Sequence, residues 1–136
     1  MLESAFRKAV LGKLPKAIHT QPMMAGMMGC AGTPDTYLDH KRDLWIEWKV
    51  LPNDDRLPAV VPTKSMPTEL QAAWLTRRFN AGGNAICIVG IKISRRAYGF
   101  VLSSPAEWSV PPNKDLYEPR LRTAADLAIY IEGRLT

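Results

Sequence analysis

Asp35, Glu47 and Lys49 are the residues whose types and spacing carry the most chemical promise. They flank a polar five-residue turn, Asp39 to Asp43, between two runs rich in aromatic and β-branched residues, Thr33 to Leu38 and Leu44 to Val50. That pattern predicts a hairpin. With Leu38 facing Leu44 across the turn, Asp35 stands directly opposite Glu47, and Lys49 falls beside Thr33 on the same face. Directly paired residues bring their Cβ atoms to about 4.5–5.5 Å, where like charges destabilise a sheet. A bound divalent cation reverses that sign, because hard cations such as Mg²⁺ take carboxylate and carbonyl oxygens. Two acids and an amine around such an ion suit hydrolysis of a phosphodiester. The same residues also fit a plainer reading, in which Glu47 and Lys49 are the solvent face of an edge strand. A register slip of one residue would separate the acids onto opposite faces.

The elements that must position these groups can be read along the chain. Leu2, Phe6, Ala9 and Val10 recur at helical spacing, and Pro15 ends a short amphipathic helix over residues 2–14. His19 to Gly32, with four methionines and three glycines, reads as a loop or irregular strand. In the second hairpin strand Ile46, Trp48 and Val50 share one face, and Trp45, Glu47 and Lys49 the other. Trp45 therefore packs under the first helix or stacks on an unpaired base. Four prolines mark Pro52 to Pro67 as a connecting loop, and Pro67 is expected as a first-turn proline of a helix from Thr68 to Asn80, stopped by Gly82 and Gly83. Leu70 and Trp74 are expected to meet the sheet. Ala85 to Ile93 reads as a strand buried on both faces, paired with Tyr98 to Leu102 across Ser94, Arg95 and Arg96. Ser103 to Pro119 has no strong pattern. Thr123 caps a last helix with the apolar stripe Ala124, Leu127, Ala128, Ile131 and Leu135. The expected fold is a single mixed α/β domain over residues 1–136, a central mixed sheet flanked by helices, with its core over about 1–102 and a C-terminal extension.

Composition narrows the class. At 136 residues, 46% hydrophobic and 23% charged, the chain has enough core to fold without disulfides or a structural metal. Cys30 and Cys87 lie in no ligand-spaced motif and read as reduced thiols, which suggests a cytoplasmic, intracellular protein. No run approaches the length of a membrane span, so no membrane partner is expected. The formal charge is +5, and residues 1–102 hold 14 of the 18 bases and 8 of the 13 acids. A basic surplus of this kind attracts polyanions.

Gly32-Thr33-Pro34-Asp35, followed after eleven residues by Glu47-Trp48-Lys49, resembles the signature of the PD-(D/E)XK nuclease superfamily. The following helix with Gln71 and Trp74, then Gly82-Gly83 and the apolar strand, is similar to its virus-type replication-repair nuclease (VRR-NUC) branch and to Holliday-junction resolvases, over residues 1–102. The resemblance implies a restriction-endonuclease-like core and a Mg²⁺-dependent DNA endonuclease, with Mn²⁺ able to substitute. It implies that Asp35 and Glu47 are metal ligands with the backbone carbonyl of Trp48, that Lys49 is the catalytic lysine, and that Gln71 lies beside the site. Glu3 matches the first-helix acid that serves as a further ligand. Both assignments have local rivals: Thr68 and Gln71 also spell a capping box, and Glu3 also makes an i,i+4 surface pair with Arg7. Lys13, Lys16, Arg77, Arg78, Lys92, Arg95 and Arg96 are candidates for the nucleic-acid surface. The expected partner is duplex or branched DNA, bound by a homodimer. A site-specific homing-type endonuclease, a junction resolvase and a non-catalytic replication accessory module are the alternatives, and viral origin stays open.

Overall fold

The computed structural model describes residues 1–22 and 32–136. Cys30 and most of the methionine-rich stretch lie outside the described residues. The first helix, α1, spans Glu3–Leu11. Strand β1 (His19–Pro22) pairs antiparallel with β2 (Thr36–Asp39), and β2 pairs antiparallel with β3 (Asp43–Val50). Helix α2 (Glu69–Asn80) crosses over and brings β4 (Ala85–Ile93) in parallel to β3. Strand β5 (Arg96–Leu102) returns antiparallel to β4, and the two-residue β6 (Arg122–Thr123) closes the far edge. The sheet runs in the order β1-β2-β3-β4-β5-β6. Between β5 and β6 lie two short helices, α3 (Pro105–Trp108) and α4 (Lys114–Tyr117), and α5 (Ala124–Leu135) ends the chain. This is the mixed α/β fold expected, a central mixed sheet with helices on both faces.

Each face of the sheet carries its own core, because side chains alternate along the strands. On one face Ile46, Trp48, Ile86 and Ile88 pack against Phe6 and Val10 of α1 and against Leu127, Ile131 and Leu135 of α5. The stripe expected of the last helix, from Ala124 to Leu135, is buried throughout, and the Thr123 hydroxyl accepts from the Asp126 amide as its cap. On the other face Trp45, Cys87, Val89 and Phe100 pack against Leu75 of α2 and against Trp108 and Tyr117.

α1 is seated by a dent in the sheet. Gly90 and Gly99 are direct partners across β4 and β5, and a Cβ on Gly90 would lie 2.4 Å from the Phe6 ring. The two missing side chains admit that ring, which also meets Trp48 edge-on at 5.5 Å between centroids. Phe6 thus fixes the helix whose first residue is Glu3.

Several local expectations are corrected. β2 begins at Thr36 rather than Thr33, since Pro34 has no N–H to give a ladder and Gly32 has φ +84°. Thr33 is therefore not a strand partner of Lys49. Pro67 precedes the cap of α2 instead of opening its first turn, and Thr68 is the N-cap. Leu70 is 61% exposed, and Leu75 takes the buried place expected of it. Trp45 packs under α2, between Tyr37 and Trp74 at 4.6 and 5.0 Å, and not under α1. At 9% exposure it is closed to base stacking. The plain reading of Glu47 and Lys49 as an edge-strand surface also fails, because β3 lies inside the sheet between β2 and β4.

Candidate active site

The hairpin register is the one expected: Leu38 faces Leu44 and Thr36 faces Ile46. Asp35, one residue before β2, lies beside Glu47 and is anchored by the backbone of the facing strand. The Trp48 amide donates to Asp35 Oδ2 at 3.3 Å. The Trp48 indole points to the other face and donates to Thr36 Oγ1 at 3.0 Å, so both ends of the hairpin contact are pinned.

Glu47 is only 1% exposed. Its Oε2 accepts from Gln71 Nε2 at 3.2 Å, while Oε1 is buried with no hydrogen-bond partner among the described residues. Burial, then the charge of Asp35 and a hydrogen bond shared with it, push the Glu47 carboxyl up to about 9, against an opposing pull from Lys49. In the metal-free protein Glu47 therefore holds its proton at neutral pH. A buried oxygen left without a partner costs stability, and a donor or a cation at that point would relieve the cost.

Gln71 makes the capping contacts and also touches Glu47. Its Oε1 accepts from the Thr68 amide at 2.9 Å and its own amide donates to Thr68 Oγ1 at 3.2 Å, completing the capping box. The other end of the same side-chain amide reaches Glu47. The cap thus orients the Gln71 side chain as a donor toward the acid.

Lys49 is 9% exposed, on the same face as Glu47, and its ammonium has no ion-pair partner among the described residues. Glu3 arrives from the start of α1 into the same field. Burial raises its carboxyl pKa, Lys49 lowers it, Asp35 raises it and Arg7 lowers it. Among the described residues no ion pair within 4 Å joins Glu3 to Arg7, although the Arg7 charge still lowers the Glu3 carboxyl. Glu3, Ser4, Arg7, Asp35 and Val50 instead line an open groove of about 530 Å³ that leads to Asp35. Arg7 is the site-lining residue that the sequence reading overlooked, although its place one turn after Glu3 was the available signal.

Asp35 and Glu47 bring carboxylate oxygens together, the donor type that a hard divalent cation takes. Among the described residues no three acidic, histidine or cysteine side chains form a cation cage by themselves. The side-chain oxygens that meet at this point are those of Asp35 and Glu47. Cys87, the strand partner of Glu47, is fully buried and free, and burial followed by the nearby Glu47 charge holds its thiol well above its ordinary range. It is an inert neighbour rather than a ligand.

The basic residues distribute unequally. Lys92, Arg95 and Arg96 sit at the β4–β5 turn, at the end of the sheet where α1 begins. Asp55 bonds this turn through the Ser94 amide, and the neighbouring Asp54 bonds the Met1 ammonium. Lys13 and Lys16 lie beyond the other end of α1, whose axis runs about 12 Å from Glu3 to Leu11 at 1.5 Å per residue. Arg77 is exposed on the last turn of α2, while Arg78 is tied to Asp43 at 3.3 Å.

No protein-family model matches the chain, and no curated protein matches it in sequence. Its fold is similar to the 1.6 Å structure of Hjc from Archaeoglobus fulgidus, a Holliday junction resolvase from an archaeal hyperthermophile. The TM-score is 0.53 at 16% sequence identity, over 94% of this chain and 96% of that one. The likeness is one of fold, and it extends beyond residue 102 into the C-terminal elements.

Proposed function

We propose that this chain is a metal-dependent DNA endonuclease that cuts branched DNA in the manner of a junction resolvase. The observation that carries this reading is the convergence of Asp35, Glu47, Lys49 and Gln71 on one point, with an oxygen of Glu47 buried and unpaired. The fold of the archaeal resolvase supports the choice of branched DNA over other phosphodiesters.

In this reading Asp35, Glu47 and the carbonyl of Trp48 would hold the ion, and Glu3 would add negative charge from α1 without completing a cage of its own. A divalent cation, Mg²⁺ or Mn²⁺, supplies there a Lewis acid that polarises a phosphoryl oxygen and acidifies water. The protein does the rest by position. Gln71 holds one oxygen of Glu47 and leaves the other for the centre. Trp48 holds Asp35 by its backbone amide. Lys49 presents a fixed ammonium that stabilises the negative charge growing on the phosphate in the transition state. Arg7 lines the groove by which a strand approaches. One such site breaks one strand, so paired cuts require two copies, and a symmetric homodimer is the simplest arrangement.

The test is cleavage of plasmid, single-stranded, flap and four-way substrates in Mg²⁺. Preferred cutting of the four-way substrate supports the proposal. Cutting of one plasmid sequence alone indicates a homing-type enzyme, and binding without cutting indicates an accessory module.

A further inference from the structure

The Gly82-Gly83 pair after α2 has two separate structural jobs. Gly82 has φ +81°, a left-handed conformation that ends the helix. At Gly83 a Cβ would lie 2.4 Å from Arg78 Nε and 2.7 Å from its Cδ, so glycine there lets the arginine lie flat across the backbone. Arg78 is held at its tip by Asp43, which also accepts from the Tyr37 hydroxyl at 3.4 Å, and its buried Nε has no partner among the described residues. Around this fixed guanidinium is a polar notch of about 400 Å³, lined on its other side by Lys41 and Arg42 of the β2–β3 turn. The charged side chains that line the notch are Lys41, Arg42 and Arg78 against the single acid Asp43, so its lining is net positive. Neither Lys41 nor Arg42 forms an ion pair among the described residues.

The notch stands at a fixed distance from the candidate active site. Asp43 precedes Glu47 by four strand residues, about 13 Å at 3.3 Å each. Gln71 precedes Arg78 by seven helix residues, about 10 Å at 1.5 Å each. The strand and the helix thus place the notch about 10–13 Å from the contact between Glu47 and Gln71. With a duplex axis laid along α2, each strand advances about 3.4 Å of axis per phosphate, so this span covers about three to four of them.

We propose that the Lys41, Arg42 and Arg78 notch is a second phosphate-binding site, which grips the DNA backbone three to four nucleotides from the bond held at Glu47. The inference rests on the nuclease reading for its ligand, while the site itself is separate from the catalytic groups. Its function is to set how the strand lies across the α2 face, since backbone contacts fix register without reading sequence.

The experiment measures binding of the full chain to a four-way junction and to a plain duplex, with EDTA present, over a series of KCl concentrations. The variants are Lys41→Ala with Arg42→Ala, the charge-keeping pair Lys41→Arg with Arg42→Lys, and a control pair Lys8→Ala with Lys114→Ala that removes equal charge elsewhere. Two lost contacts should lower the slope of log affinity against log salt on duplex by about 1.8 in the first variant. The charge-keeping pair and the control should keep the parental slope. An equal slope in parent and first variant, with the parent binding tightly, overturns the second site and leaves the nuclease reading standing. A parent that binds neither DNA overturns both.

Discussion

At the scale of single residues, the state of Glu47 makes the metal-free protein sensitive to base. Its carboxyl titrates near 4.5 in the unfolded chain and at about 9 in the folded one, so between these values the folded state binds more protons. Stability must then fall as pH rises through that window. Glu47→Gln removes the titrating group, and the melting temperature of the chelated variant should rise above the parent by pH 8 and lose this slope. Thermal melts from pH 5 to 9 in EDTA check it. Divalent cation should reverse the order: Mg²⁺ should raise the melting temperature of the parent more than that of an Asp35→Asn, Glu47→Gln double variant, because a ligand that binds only the folded state stabilises it by mass action. Asp35, Glu47 and Lys49 were legible in the sequence because turn length fixes hairpin register. Gln71 was legible only as a choice between two roles, because spacing cannot show that the two ends of one amide serve both.

At the scale of elements, the site depends on two seating devices. The first is the capping box of α2. Thr68→Ala should cost about 1 kcal/mol of stability as a lost cap and also weaken cleavage by loosening Gln71, while Gln71→Glu keeps a capping acceptor and loses the donor to Glu47. Chemical denaturation beside a cleavage assay separates the two effects. The second device is the Gly90 and Gly99 dent under Phe6. Gly90→Ala overpacks it and should destabilise the fold by about 1–3 kcal/mol, moving α1 and Glu3 away from Asp35. The helices and long strands were legible from their periodicity. The dent was not, because a glycine in an apolar run looks like any small core residue until the opposing element is known. The exposure of Leu70 was hidden for a similar reason: i,i+4 spacing defines a stripe, but the partner surface decides which stripe is buried. The four-residue helices α3 and α4 are too short to show a period at all.

At the scale of the whole molecule, the last helix belongs to the core that positions the site. Leu127, Ile131 and Leu135 pack with Phe6 and Trp48, and the Arg42 amide bonds the Leu135 carbonyl, so the C-terminus braces the hairpin turn. Deletion of residues 124–136 should leave a chain that does not melt cooperatively, which circular dichroism on heating would show. The α5 stripe was plain in the sequence, whereas its pairing with α1 was not, because stripes on two distant helices do not say which sheet face they share. On the proposed function, the Asp35 and Glu47 pair is a catalytic metal centre for branched DNA. The most direct measurement is single-turnover cleavage of a four-way junction in Mg²⁺ by the parent and by Asp35→Ala and Glu47→Ala proteins of verified fold. The parent should cut and neither variant should, with both still binding the junction, whereas undiminished cutting by either folded variant would contradict the assignment of Asp35 and Glu47.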